Sequence, residues 1–468
     1  MWIVLIADIV IKNGRIMLPS KELVSASIVI EDGKIASICS EALTPQADRV
    51  IDADGLLVFP GIIDPHTHLG FYNQIEEDFA TETASASVGG VTTIINYFRA
   101  EGSYKDTFPS AKDAAARSSM IDFSFHLGLI NNTQIDELEE YVNRFGISSF
   151  KLYLDYKVTG VPVSSAEFSI DDGFVYRALE KIAQIGGNVK ACAHCENAEI
   201  IRDMTARVAK TDRGLEGWAK ARPGFAEAEN LKRVLYFSAL TNAKIHIVHI
   251  SASESVEILR EAKNQGSKFD AETQIHYLTQ TKDSPAGILA KVKPPIRGRK
   301  DMEEIWSAVN EGLISTISSD HVPNIKTQKI GRGDVWSALV GFPGSPLVLP
   351  LLLSEGVRKG RIGLDKVVET TSYNTARIFN LFPKKGMINV GSDADLTIVD
   401  LKKEKKVTPE LLKSRSDYTI YEGWILRGWP VMTLVRGAVV SEEGEVVGKR
   451  GWGQYHYRYT EKTNHQEP

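Results

Sequence analysis

Between about residue 57 and residue 319, eight short apolar segments alternate with amphipathic stretches of helical period. No other feature restricts the fold of the chain as much. The segments are Leu57–Ile63, Thr92–Tyr97, Asp122–Leu129, Ser149–Leu154, Asn188–Ala193, Lys244–Ile250, Phe269–Ile275 and Ile314–Ser319. Apolar runs of this length fit strands buried on both faces, as in a parallel sheet covered by helices. Eight such units over roughly 300 residues predict an α/β fold, specifically a (β/α)8 TIM barrel.

The two ends of the chain follow a different pattern. Ile3–Ile11, Ser27–Ile30, Lys34–Ile38 and Arg49–Ile51 read as strands, with tight turns at Asn13-Gly14 and Asp32-Gly33. After about Met387 the short strands return at Leu396–Asp400, Val431–Arg436 and Ala438–Val440, with turns at Gly437 and Glu443-Gly444. A chain of 468 residues is long for one core. The expected organisation is a barrel over 58–386 inserted into one small β-sandwich, built from 1–57 and from 387–468 with its C-terminal tail. Two separate small β domains are the alternative.

With 43% hydrophobic and 25% charged residues and a net charge of -5, the composition is that of a soluble globular protein. It makes no electrostatic case for nucleic acid or an anionic membrane as partner. Met1–Val10 is apolar but lacks a basic leader and carries Asp8, so it reads as a strand rather than a signal peptide. No run approaches the roughly 18 apolar residues of a membrane span. Cys39, Cys192 and Cys195 are too few for a disulfide framework and suit a reducing cytoplasm. Cys192 and Cys195 flank His194 with no second pair to complete a zinc knuckle, so burial beside a functional histidine is expected.

The chemistry gathers at predicted strand ends. In Asp64-Pro65-His66-Thr67-His68, an extended backbone projects both imidazoles to one side, where they can share a divalent metal. Lys151 lies in the fourth segment, His194 follows the fifth, His249 falls near the end of the sixth, and Asp320 follows the eighth. A strand-end histidine is ordinarily a hydrogen-bonded structural residue. Five strands aiming metal-competent groups at the C-terminal mouth of one barrel is the pattern of a built site.

These residues resemble the amidohydrolase superfamily over nearly the whole chain. Gly61-Ile62-Ile63-Asp64-Pro65-His66-Thr67-His68 looks like its metal-binding opening, and Thr375–Phe379 with Gly386–Asp400 resemble its return into the β domain. Within it, the hydantoinase and dihydropyrimidinase branch is the best match. The matching stretches are Asp78-Phe79, Gly89–Thr93, Ala221-Arg222-Pro223 with Glu227–Glu229, Val292–Arg297, Gly341–Gly344, Tyr421–Gly423 and Gly428–Val431. The resemblance implies two divalent metals, zinc first with manganese or cobalt as alternatives. His66, His68 and Asp320 would hold one, His194 and His249 the other, and a carboxylated Lys151 would bridge them. It also implies that Asp320 moves the proton, that Tyr156 polarises the substrate, and that Tyr156, Lys293 and Gly341 form the substrate rim. The implied enzyme opens a cyclic amide, a hydantoin or dihydropyrimidine, to an N-carbamoyl amino acid with a metal-bridging hydroxide. A cytoplasmic homo-oligomer, tetramer or dimer, is implied too.

Three alternatives remain open. Dihydroorotases usually carry an arginine where this chain has Gly70, and they share with allantoinases a Met-Pro-Asn-Thr segment where this chain has Asn96-Tyr97-Phe98-Arg99. A non-catalytic dihydropyrimidinase-like scaffold would have lost ligands that are all present here. The chain departs from its branch at Lys293 (serine is usual), at Ser345-Pro346-Leu347 (glutamate is common) and at Gln274-Ile275-His276 (Cys-Pro is usual).

Overall fold

The computed structural model describes residues 6–18, 22–157 and 170–458, with side chains to Asp155 in the second stretch. Ile62–Thr67, Val91–Phe98, Asp122–Leu129, Ser149–Tyr153, Lys190–His194, Lys244–Ile247, Asp270–Gln274 and Thr316–Ser318 form one eight-stranded sheet in sequence order. All seven neighbouring pairs are parallel. The first and last strands meet through a Thr67–His321 bridge, with His321 N donating to His66 O (3.2 Å) and His68 N to His321 O (2.8 Å). The predicted (β/α)8 barrel is therefore present, and its closure places the His66–His68 segment against Asp320.

A second, nine-stranded mixed sheet takes strands from both ends of the chain. Ala7–Met17 pairs with Leu23–Glu31, Ala47–Asp52 and Leu57–Pro60, and Leu57–Pro60 pairs with the C-terminal strand Leu396–Lys406. Ile11, Ile28 and Ile30 share one apolar cluster with Leu396, Ile398 and Leu434, so the two ends bury a common core.

The expected strand Leu57–Ile63 divides at Gly61. Leu57–Pro60 belongs to the small sheet, and the barrel begins at Ile62. A Cβ at residue 61 would stand 2.1 Å from Thr92 Oγ1, so only glycine lets the chain pass between the two bodies. The seam is held by charge. Lys385 Nζ bonds Asp122 Oδ2 (2.7 Å) at the base of the third barrel strand and Asp395 Oδ2 (2.5 Å) beside the small sheet. Among the described residues no helix is long and apolar enough to cross a membrane.

Candidate metal centre

Each candidate ligand sits where a barrel strand gives way to its loop. His66 is the penultimate residue of the first strand and His68 lies one residue beyond it. Lys151 is in the fourth strand, and His194 ends the fifth. His249 and Asp320 each lie two residues past their strands with left-handed backbones, φ 45° and 52°. Non-glycine residues rarely hold that conformation, which costs on the order of 1–3 kcal/mol, and it concentrates at functional sites.

Closure brings two groups together. His66 Nε2 stands 3.4 Å and His68 Nε2 3.1 Å from Asp320 Oδ1. These three residues form one of the clusters able to hold a metal. Opposite them, His194 Nδ1 and His249 Nε2 converge at 2.8 Å, and the His66 and His249 rings lie 5.6 Å apart. Lys151 Nζ lies over the Tyr97 ring at 4.5 Å, and that ring stacks on His68 and packs against His66.

The outer atoms of these histidines are already committed. His66 Nδ1 donates to Glu272 Oε1 at 2.5 Å, and His194 Nε2 donates to Glu196 Oε2 at 2.8 Å. Such carboxylates fix the ring and leave the other nitrogen's lone pair for a metal. His66 Nε2 is buried and has no hydrogen-bond partner. An orphaned imidazole nitrogen among one carboxylate and three further imidazoles fits a divalent cation. Arg222 Nε and Nη2 bond Glu196 at 2.9 and 2.5 Å, and Nη2 reaches Asp155 Oδ2 at 3.0 Å.

The electrostatics suit cation binding. Burial, partly opposed by Glu272, holds the His66 imidazole down at about 4, so it is neutral at ordinary pH. Burial and then the neighbouring His194 press His249 well below the usual range. Burial pushes the Asp320 carboxyl up, but His66 and His68 prevail and leave it at about 2. Burial lowers the Lys151 ammonium to about 8. Cys192 and Cys195 are free and buried, and burial raises the Cys192 thiol to about 11, so it is protonated rather than a thiolate ligand.

Two of the expected rim residues, Lys293 and Gly341, have defined contacts. Lys293 Nζ is 3.0 Å from Asp155 Oδ2. Gly341 has φ 84°, and a Cβ there would meet Val322 Cγ2 at 2.3 Å. The backbone of Tyr156 lies in the turn Leu154–Lys157 after the fourth strand, and its side chain lies outside the described residues.

Glu272, Glu196, Arg222, Asp155 and Asp64 were not among the site residues expected from sequence. Asp64 is buried and accepts from Ser319 Oγ (2.5 Å) and Ser345 Oγ (2.7 Å), which pins the residue before Asp320. The signals available were a charged residue inside an otherwise buried strand, as Glu272 is, and the motif stretches that carry Asp64 and Arg222. A further cluster able to hold a metal, Asp122, Asp393 and His456, lies at the strands' opposite end, where Lys385 Nζ already pairs with both of its carboxylates.

A parallel eight-stranded barrel with converging histidines and a carboxylate at its mouth defines a metal-site barrel protein. The amidohydrolase family model matches residues 57–440, and the chain belongs to that family. It is 36% identical to a D-hydantoinase of Geobacillus stearothermophilus, with 95% of each chain covered. It is 32% identical to an L-hydantoinase of Paenarthrobacter aurescens, over 96% of this chain and 97% of that one. The crystal structure of a dihydropyrimidinase from Brevibacillus agri superposes with a TM-score of 0.89 at 31% identity, covering 96% of this chain and 98% of that one.

Proposed function

We propose that this protein is a metal-dependent hydrolase that opens cyclic ureides, hydantoins or dihydropyrimidines, to N-carbamoyl amino acids. One observation carries the proposal. His66, His68, Lys151, His194, His249 and Asp320 come from five strands; His66 and His68 approach Asp320, His194 approaches His249, Lys151 lies over the Tyr97 ring that packs on His66 and His68, and the outer nitrogens of His66 and His194 are held by buried carboxylates. Two divalent metals bound there would activate water and polarise a carbonyl.

The protein's own groups do the rest. Asp320 stays ionised and lies against His68, so it can accept a proton from the attacking water and pass it to the departing ring nitrogen. The amide C–N bond breaks, the carbonyl carbon gains the water oxygen as a carboxylate, and the ring nitrogen becomes part of a ureido group. Tyr156 is assigned to steady the carbonyl oxygen, and Lys293 and Gly341 form the wall beside it.

Carboxylation of Lys151 belongs to the same proposal. Burial favours its neutral amine, the form that captures carbon dioxide, and an ammonium placed among metal ligands would repel cations. Zinc is the first choice of metal, with manganese or cobalt next. A cytoplasmic homotetramer or dimer completes the assignment.

The test is turnover of a 5-substituted hydantoin and of dihydrouracil, with metal per chain measured on the same preparation. Asp320→Asn is expected to keep metal and lose turnover by roughly 10² or more. No turnover of any cyclic ureide by fully metallated protein, or a fully active Asp320→Asn, would overturn the proposal.

A further inference from the structure

Lys329 is fully buried in the loop between Asp320 and Gly341. Its ammonium bonds no carboxylate among the described residues. It donates to three main-chain carbonyls, Lys291 O at 2.8 Å, Leu339 O at 2.8 Å and Gly341 O at 2.6 Å. Burial, and then the nearby Lys291 ammonium, press Lys329 toward its neutral form. A neutral amine has two N–H donors and a lone pair, and that lone pair would face one of the three oxygens. Three carbonyl acceptors are matched only by three donors, so the cage selects the ammonium.

The three carbonyls belong to two strips of chain. Lys291 leads two residues later into Lys293, and Leu339–Gly341 leads into Phe342. Gly341 N donates back to Lys291 O (3.0 Å), and Leu339 N donates to Lys329 O (2.9 Å). Val322 N, two residues beyond Asp320, donates to Phe342 O (3.1 Å). Lys291 Nζ adds a bond to Ala338 O (2.6 Å), and Trp218 Nε1 holds Val292 O (2.8 Å). Without the ammonium, Lys291 O would keep only Gly341 N (3.0 Å) and Gly341 O only the long bond from Asn324 Nδ2 (3.4 Å), so the two strips would be tied far less tightly in a dry space.

We propose that Lys329 is a positioning residue whose ammonium acts as a built-in cation among main-chain carbonyls and fixes the two strips that form the substrate wall. The proposal rests on the assignment of Lys293 and Gly341 to that wall. The wall binds substrate and transition state alike, so its loss reads in KM rather than in kcat.

The experiment uses metallated enzyme carrying Lys329→Met or Lys329→Ala. Lys329→Met is expected to keep its metal and to raise KM for a 5-substituted hydantoin about tenfold, with kcat within about threefold. In Lys329→Ala the vacated cage is open to a small cation. Potassium chloride is expected to lower KM toward wild type, while tetramethylammonium chloride at equal ionic strength leaves it unchanged. Amide exchange at Gly341 gives an activity-independent readout: protection lost in Lys329→Ala and regained in potassium supports the cage. A folded variant with wild-type KM, an equal fall in kcat and metal content, or a Lys329→Ala protein that is unfolded with and without potassium would overturn the proposal. If wild-type enzyme turns over no cyclic ureide, the substrate assignment fails, and potassium-dependent protection at Gly341 still decides the role of Lys329.

Discussion

Glu272 offers the sharpest test of how the metal centre is held. Its buried carboxylate accepts from His66 Nδ1 at 2.5 Å, from His246 Nε2 at 3.3 Å and from Gln274 Nε2 at 2.9 Å. Burial opposes its ionisation, yet His66 and His246 hold it well below the usual carboxylate range. Glu272→Gln keeps the shape and one acceptor but removes the charge that aligns His66. A charge-assisted bond is worth about 1.5–3 kcal/mol against about 1 for a neutral one. The difference of roughly 0.5–2 kcal/mol is about two- to thirtyfold, since 1.36 kcal/mol is tenfold. That agrees with the about 10–100-fold losses in metal affinity when such outer carboxylates are changed. The assay is equilibrium dialysis against graded free zinc, with metal per chain read at each step. Glu272→Gln is expected to weaken the metal on the His66 side, and Glu196→Gln the metal on the His194 side. Glu272→Gln with both affinities less than about twofold from wild type would refute the argument.

Lys151→Ala is expected to lose most of its bound metal and its activity, with partial recovery on adding short carboxylic acids; full activity in metal-bound Lys151→Ala would remove the bridge. Glu196 is drawn from its ordinary 4.5 to about 2 by Arg222 and His194 against burial, so its contribution to stability is present above about pH 4.5 and is lost as pH falls toward 2. Acid unfolding of metal-free protein followed by circular dichroism should therefore show wild type ahead of Glu196→Gln at pH 4.5 and the gap closing toward pH 2. Dihydroorotate is expected to be at least about tenfold poorer in kcat/KM than dihydrouracil or a neutral hydantoin, measured on one preparation.

The barrel and the positions of the candidate ligands at its strand ends were legible because both depend on local pattern. Apolar runs alternate with helical ones, and the ligands fall at the ends of those runs. What failed to show depends on contacts across the chain. Glu272 and His66 are 206 residues apart, and only barrel closure makes them partners. Arg222 stands in a stretch that matches the branch, but its partners show only when the fold sets it between Glu196 and Asp155. The strand Lys244–Ile250 stops at Ile247 because His249 takes a left-handed backbone, a choice no apolar pattern records. Leu57–Ile63 looks continuous because nothing in its residues says that Pro60 and Ile62 serve different sheets.

The departure at Lys293 shows how a residue read alone misleads about charge. By itself, a lysine where serine is usual suggests a cation offered to an anionic substrate. In the fold its Nζ is 3.0 Å from Asp155 Oδ2, and the same oxygen accepts from Arg222. Arg222 also pairs with Glu196, so two cations and two carboxylates balance beside His194. Burial pushes Asp155 up, but Lys293 first, then His194 and Arg222, hold it far below the usual carboxylate range, so its charge stays in place. Arg99, the other cation near the mouth, packs over the rings of Phe71 at 5.3 Å and Tyr153 at 5.6 Å. A substrate carboxylate that recruited Lys293 would have to take it from a buried aspartate, and one lost charged bond there costs about 1.5–3 kcal/mol, or roughly ten- to a hundredfold. A neutral ureide asks for no such exchange. If dihydroorotate nevertheless wins by about tenfold, the balance at Asp155 does not hold in the working enzyme, and Lys293→Ser would then abolish that preference while leaving dihydrouracil turnover in place.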